Sequence, residues 1–428
     1  MERNRRIRVL LVLESQGGSR RHVVDLIHGL DQSRFELALI YGTSRMDAQF
    51  VEGLDDLRRY AKLIPCDDLV RPISPKHELA ALRQVRRVIR AFRPDVVHCH
   101  SSKAGIIGRL AAKREHVPLV FYTPHAYSFQ APEFGGRKRV VFVGLERWFS
   151  RHATTRTFNV SAGERDAALA ERLDKPGKFR VIVNGIPDSP VPSRAEAREM
   201  LGLESLGVPA GAPVVGVTAR MVEQKDPMTF ARIAARVVAQ RPDVHFCYVG
   251  DGPLEPQVAA WLAERGVADH VHLLGYRQDA DDVVAAFNVY LLTSLYEGMP
   301  YSLIEALRAG VPIAATRVTG NDEVVCESAS GVSASGKPAS GAAANEKLAN
   351  GALFPVGDDE AGAQAVLRLL GNPPSREQVR ATYLERFTLD RMVAAIAGEY
   401  EGNGSVGGTN DVNAANKADQ AGKTRSAA

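Results

Sequence analysis

The chain has 428 residues, 45% hydrophobic and 24% charged, which is ordinary globular composition and enough for two packed domains. Its four cysteines (Cys66, Cys99, Cys247 and Cys326) lack CxxC spacing, which excludes a disulfide scaffold and argues against a structural zinc, and no apolar run nears the ~18 residues that cross a bilayer. The net charge of +4 conceals a split: residues 1–190 hold 33 Lys and Arg against 21 Asp and Glu, while the rest holds 21 against 29, so the first half is expected to face something anionic.

The opening MERNRRIRVLLVLES has a basic head, but Val9 to Leu13 is too short an apolar stretch for a signal-peptide core. It reads as a first buried strand of a cytosolic protein. Helical periodicity follows over Arg20 to Leu30, then a strand at Phe35 to Tyr41, a helix at Leu79 to Phe92 and a strand opening at Val96 to His98. A helix over Ala104 to Lys113 precedes strands at Pro118 to Thr123, Arg156 to Val160 and Arg180 to Val183. Prolines 187, 190, 192, 209 and 213 mark a linker, after which the alternation restarts at Val214 to Thr218 and runs to Pro312 to Ala315. Strands alternating with helices mean parallel sheets, so the expected fold is α/β with two doubly wound, Rossmann-like domains facing a central cleft. The boundaries are a first domain over 1–190, a linker over 191–213 and a second domain over 214–385. Two Ser/Ala/Gly-rich stretches stand apart: 328–350 reads as a flexible insertion and 402–428 as a disordered tail.

The residues that carry chemistry fall after the strands. Gly17-Gly18 sits at the first strand-to-helix turn, where backbone N–H groups approach a phosphate; a plain tight turn explains it equally, and GxGxxG is absent. Arg220 and Lys225, after Val214 to Thr218, can hold a diphosphate and stabilise its charge as it leaves. In SLYEGMPYSLIEAL, Glu297 lies in a loop and Glu305 in the first turn of the next helix, so both can enter one pocket and accept from sugar hydroxyls. Gly298-Met299-Pro300 supplies close backbone between them, and a dipole role for Glu305 is the bland alternative. His125 follows a strand end. His98 and His100 show no third ligand, so no metal is expected there, and Asp279 and Asp281 read as helix-capping residues. The clusters Arg3, Arg5, Arg6, Arg8, then Arg83, Arg86, Arg87, Arg90, Arg93, and Arg137, Lys138, Arg139 suggest adhesion to anionic lipid headgroups; no nucleic-acid recognition fold is visible.

Gly17-Gly18, His125, Arg220, Lys225 and Glu297-x7-Glu305, followed by AGVPIAATRVTGNDEVV, resemble the family-4 retaining glycosyltransferases of the GT-B fold. The resemblance covers about 7–325 and 350–400. HCHSSKAG and YTPHAYSF are similar to the branch that builds capsule, exopolysaccharide or O-antigen units on polyprenyl diphosphate. It implies a UDP- or GDP-sugar donor and no metal. Arg220 and Lys225 would grip the diphosphate with Gly18 opposite, Glu305 the ribose, Glu297 the transferred sugar, and His125 the reacting end. Tyr276 and Arg277 would lie by the nucleobase. The first domain would bind the acceptor and the second the nucleotide sugar, a last helix, about 386–401, would cross back onto the first domain, and the enzyme would work peripherally on the inner membrane face. A nucleotide-sugar epimerase on the same scaffold is the alternative, and a catalytically silent binding module a third reading.

Overall fold

Five consecutive apolar residues, Val9 to Leu13, are buried on both faces. Leu10 and Val12 enter one core, while Val9, Leu11 and Leu13 enter another, as period-two side chains of a strand between two helical layers must. In the computed structural model, which describes residues 5–14, 16–130, 135–327 and 349–402, this is strand β1 (Ile7–Leu13). Beside it lie β2 (Phe35–Gly42), β3 (Ala61–Cys66), β4 (Val96–His100), β5 (Leu119–Thr123), β6 (Arg156–Asn159) and β7 (Phe179–Val181), in the order β3-β2-β1-β4-β5-β6-β7.

The second half repeats the pattern with β8 (Val214–Thr218), β9 (His245–Val249), β10 (Val271–Leu273), β11 (Val289–Leu292), β12 (Ile313–Thr316) and β13 (Gly351–Phe354). Their order is β10-β9-β8-β11-β12-β13, and the ladders of both sheets are parallel. The chain is therefore two Rossmann-like domains. In each sheet the winding reverses between two neighbouring strands, β1/β4 and β8/β11. A crevice opens outside the carboxyl ends of the strands at such a reversal, so topology alone nominates the loops after these four strands.

The last helix, Leu389–Tyr400, returns to the first domain, burying Met392, Val393, Ile396, Ala397 and Tyr400 among Val9, Phe35 and Phe121. Between the sheets, the Pro-rich segment contains one short helix, Arg194–Met200, closed by a capping box between Ser193 and Glu196.

Among the elements that escaped the pattern reading are strand β3 and the helices Ala48–Leu57, Arg137–Ala153, Ala162–Ala170 and Arg376–Arg386. Strand β3 is an edge strand with Lys62 and Pro65 in its short run. The helices Ala48–Leu57 and Arg137–Ala153 were missed; the second carries Val140 and Val141 on its exposed side, against the core rule. The insertion is also shorter than expected at its end. Asn350 is fully buried, its side-chain amide donating to Val324 O and its Oδ1 accepting from Cys326 N, so it belongs to the packed domain. Residues 328–348 and 403–428 lie outside the described residues.

Candidate active site

The facing loops enclose a cleft of about 1670 Å³. Gly17, Gly18, His125, Arg220, Lys225, Tyr276, Arg277, Glu297, Gly298, Met299, Pro300 and Glu305 all line it. Residues nearly 300 positions apart in sequence meet there because each follows a strand end or begins the next helix.

Two helices open on the cleft with no side-chain cap. Gly18–Gly29 is preceded by Gly17, whose φ of +67° suits glycine, and Tyr301–Arg308 is preceded by Pro300. Neither N-cap residue has a side chain that bonds to the first N–H groups, and helix amino ends of this kind favour an anion. The two turns also nearly touch: a Cβ on Gly18 would come within 3.2 Å of the Tyr301 ring. Gly298 packs as tightly, its would-be Cβ 3.1 Å from Ala126 N.

The loops after β8 and β11 are stitched together. Leu295 N donates to Gln224 O at 2.8 Å, Gln224 Nε2 to Tyr296 O at 3.1 Å, and Thr293 Oγ1 to Lys225 O at 2.9 Å. Lys225 Nζ is thereby brought onto Glu297 Oε1, an ion pair in which the carboxylate is 8% exposed. Arg220 stands on the same loop as Lys225, which Gly250 and Gly252 support by packing against the backbone of Ala219 and Met221. With its amide oxygen turned toward them, Gln16 accepts from Arg220 Nη1 and Arg45 Nη2, each at 3.1 Å, so three polar groups from both domains converge.

Glu305 differs from the expectation. The helix begins at Tyr301, so Glu305 sits in its second turn, away from the amino end, and a dipole role does not apply. Its carboxylate is buried, which pushes its pKa up, opposed chiefly by Arg21, whose Nη1 it binds. Arg21 was not singled out from sequence; it belongs to the first domain and also lies 3.7 Å from Asp281 and 3.5 Å from Asp25. Asp279 and Asp281 do not cap with their side chains. Asp279 grips Arg277 Nε and Nη2 at 2.8 and 2.7 Å, and Asp281 faces Arg21 and Arg308. Arg277 is held further by Met200 O, leaving Tyr276, 53% exposed, as the open aromatic ring of that wall.

His125 and Ala126 have φ of +55° and +80°, a strained turn for residues with side chains. Buried Glu164 holds it, accepting from Ala126 N at 2.7 Å and Val160 N at 2.8 Å. His100 Nδ1 lies 3.2 Å from His125 Nε2, and His22 Nδ1 lies 3.1 Å from Asn184 Oδ1 and 3.2 Å from Tyr301 OH. Burial pushes the three imidazoles down, His22 to about 4, so His125 meets the cleft as a neutral hydrogen-bonding group. His22 is the third neighbour the sequence reading did not find for the histidine pair. The ligating nitrogens of His22, His100 and His125 all lie within 4.8 Å of one another, close enough together to share a ligand.

A two-domain parallel scaffold with cations, carboxylates and helix amino ends converging on one cleft is the layout of the GT-B fold expected from the sequence. Residues 16–189 match Glycosyltransferase Family 4 and residues 212–372 match Glycosyl transferases group 1. The UDP-Gal:alpha-D-GlcNAc-diphosphoundecaprenol alpha-1,3-galactosyltransferase of Escherichia coli is 30% identical over 305 residues, 69% of this chain and 75% of that protein. The 2-deoxystreptamine N-acetyl-D-glucosaminyltransferase of Streptomyces fradiae is 30% identical over 55% of this chain and 58% of its own length. Anabaena HepE, crystallised with UDP and glucose, superposes with a TM-score of 0.72 over 92% of this chain and 100% of its own, at 18% identity. The chain belongs to glycosyltransferase family 4. These matches span both domains and support the transferase reading over the epimerase alternative.

Proposed function

We propose that the protein transfers a sugar, with retention of configuration, from a UDP- or GDP-sugar to a polyprenyl-diphosphate-linked glycan during synthesis of an exopolysaccharide, capsule or O-antigen. The observation that carries this reading is the convergence at the β8/β11 reversal: Arg220 and Lys225 on the loop after β8, Glu297 on the loop after β11 and Glu305 on the helix that follows it. Arg220 and Lys225 stabilise the nucleoside diphosphate as the glycosidic C–O bond breaks, where fixed charge in a closed cleft acts most strongly. Glu297 orients the transferred sugar and Glu305 the ribose, while neutral His125 contacts the sugar near the reacting carbon. The acceptor hydroxyl attacks from the face the phosphate leaves, and the departing phosphate oxygen takes its proton. With these cations in place the reaction needs no metal, so activity should persist in EDTA. The acceptor is taken from its relative in Escherichia coli, and UDP as carrier is supported by HepE.

The protein should work at an anionic membrane surface. No described helix is long and apolar enough to span a bilayer. Of the basic residues expected to meet lipid, several are spoken for within the domain: Arg86 and Arg90 clamp Glu115, Arg5 pairs with Asp95 and Arg139 with Glu171. The helix Arg137–Ala153 is the better candidate, presenting Val140 and Val141 beside Arg137 and Lys138. Sedimentation with anionic vesicles should fall as salt rises.

The decisive assay measures nucleoside diphosphate released with and without lipid acceptor. Release should depend on acceptor, and Glu297→Gln should lower kcat/KM by about 100-fold or more with the thermal transition nearly kept. Undiminished turnover in that variant removes Glu297 from the site; acceptor-independent interconversion of the nucleotide sugar would favour an epimerase.

A further inference from the structure

A separate cavity, of about 590 Å³, lies at the carboxyl end of the helix Tyr301–Arg308, whose amino end opens on the cleft. Its wall is made by linker residues 188–193, by Arg308, Ala309 and Gly310, and by the first turns of the helix Arg376–Arg386. None of these residues lines the cleft. Sites for small molecules enclose about 300–1,000 Å³, so the space suits a metabolite.

Arg308 is 2% exposed and poorly bonded. Its Nη1 and Nη2 reach the carbonyls of Pro187 and Asp281 only at 3.5 Å, and the Asp281 carboxylate stands at 3.7 Å. Its Nε has no hydrogen-bond partner among the described residues. All three contacts are longer than a good N–H···O bond, and a buried charge in that condition is costly until an acceptor completes it. Cations dominate the rest of the wall. Arg376 Nη2 donates to Ala309 O at 2.8 Å, Arg380 Nη1 to Arg308 O at 2.8 Å, and Arg380 Nη2 to Asp188 Oδ1 at 2.6 Å. A guanidinium carries five N–H donors, so both arginines keep donors for a ligand. Arg194 follows the wall residue Ser193; burial and then the neighbouring Arg376 push its pKa down, and its Nε is likewise without a partner among the described residues. Against these four cations stand Asp188, already engaged by Arg380, and the exposed Glu377. The wall is short of negative charge.

Planar guanidinium groups hold phosphate through paired, charge-assisted N–H bonds. We propose that this cavity binds a phosphoryl anion, free or carried on a small monoester, between Arg308 and Arg376, and that it serves as an effector site for the donor cleft. The link is Arg308 itself, which also faces Asp281. Asp281 lies 3.7 Å from Arg21, and Arg21 pairs with Glu305, three residues before Arg308 on the same helix. A phosphate that draws Arg308 away leaves Asp281 to Arg21 alone. Arg21 then loosens its hold on Glu305, and that carboxylate is released toward the nucleotide sugar. Occupancy of the cavity therefore raises donor affinity, by as much as the ligand prefers the state in which Arg308 has left Asp281.

The test is isothermal titration with inorganic phosphate and with glucose 1-phosphate. Both probes can also meet the cleft cations, so they are titrated first into the double variant Arg220→Ala, Lys225→Ala, which should still bind. Adding Arg376→Gln to that protein should weaken the remaining binding about tenfold or more, the loss of one charge-assisted bond, with the melting transition kept. Arg308→Met should do the same, and half-buried Arg376 keeps the experiment readable if the buried substitution unfolds the chain. Tighter binding of the ester identifies a phosphate monoester as the occupant, and equal affinity identifies free phosphate. Binding that disappears with the cleft cations, or that survives Arg376→Gln undiminished, overturns the site. In the acceptor-dependent assay, glucose 1-phosphate should lower the donor KM about twofold or more in the wild type and fail to lower it in Arg376→Gln, whose kcat without ester is unchanged. An equal response in both proteins overturns the effector role. That last arm rests on the transferase reading above and the titrations do not, so failure of that reading appears as absent turnover with phosphate binding intact.

Discussion

Four imidazoles, His22, His98, His100 and His125, crowd the inner wall of the first domain, with the His98 and His100 ring centroids 4.0 Å apart. Burial holds all four well below the ordinary histidine range, His22 at about 4, and mutual repulsion reinforces it for His98, His100 and His125. The unfolded chain protonates these groups near pH 6.5 while the folded one resists until far lower pH. Between those values the unfolded state binds more protons, so their contribution is intact above pH 6.5 and is lost as pH falls toward the folded values. His22 alone accounts for about 2 kcal/mol between pH 7 and pH 5. Glu164 works the other way: burial raises it to about 7, so its folded form is favoured at low pH and loses ground as pH climbs from about 4.5 to 7. Burial raises Glu14, Asp25, Glu305 and Glu323 as well, which adds to Glu164's side; the four histidines, moved together far below their ordinary range, carry the balance, so the melting temperature should drop on acidification from pH 7 to pH 5, and His22→Gln should make that slope shallower. A melting temperature indifferent to pH over this window would show that the rings find proton acceptors on opening.

At the scale of elements, the returning helix Leu389–Tyr400 is joined to the strand layer by one buried bond that packing alone does not replace. Tyr400 OH lies 2.6 Å from His98 Nδ1, while His98 Nε2 lies 2.8 Å from Thr123 Oγ1. A neutral ring has one donor and one acceptor, so the tyrosine donates if Nε2–H is given to Thr123. Tyr400→Phe keeps the shape and strands a buried nitrogen, which should cost about 1–3 kcal/mol in denaturant titration with little effect on kcat. An unchanged midpoint would mean water reaches His98. This helix was legible in the sequence because its apolar residues keep helical spacing and face a core. The helix Arg137–Ala153 was not, because Val140 and Val141 face outward, and a pattern reading equates apolar with buried. The site divides the same way. Arg220, Lys225, Glu297 and Glu305 could be picked out because each trails a strand, and parallel sheets gather strand ends. Arg21 could not. Arg21 lies inside a helix with no strand-end signal, and its partner Glu305 is 284 residues distant, a proximity that only domain packing creates.

The whole molecule depends on how the two domains are held, and among the described residues that seam is built from segments outside the Ser/Ala/Gly-rich stretch. Arg21 meets Glu305, Asn184 Nδ2 donates to Met299 O at 2.9 Å, and Glu323 accepts from Ala162 N and Gly163 N, both at 2.8 Å, at the amino end of the helix Ala162–Ala170. Glu323 lies five residues before the insertion begins, so the question is whether its position depends on residues 328–348. The flanks argue that it does not. Asn350 N donates to Cys326 O at 2.9 Å, Glu327 pairs with Arg317 at 2.7 Å and accepts from Leu353 N at 3.0 Å, and β13 is zipped along β12 from Gly351 to Phe354. Both ends are anchored beside each other, so a short connection can join them. Loop closure entropy varies only slowly with length, by about 0.6 kcal/mol for each halving. Replacing residues 328–348 with a Gly-Ser linker of about four residues should therefore raise the melting point slightly or leave it alone, with donor affinity and kcat at wild-type values. A protein that melts as before but binds nucleotide sugar at least tenfold more weakly would show that the insertion reaches the cleft, and would move it from the surface into the donor site.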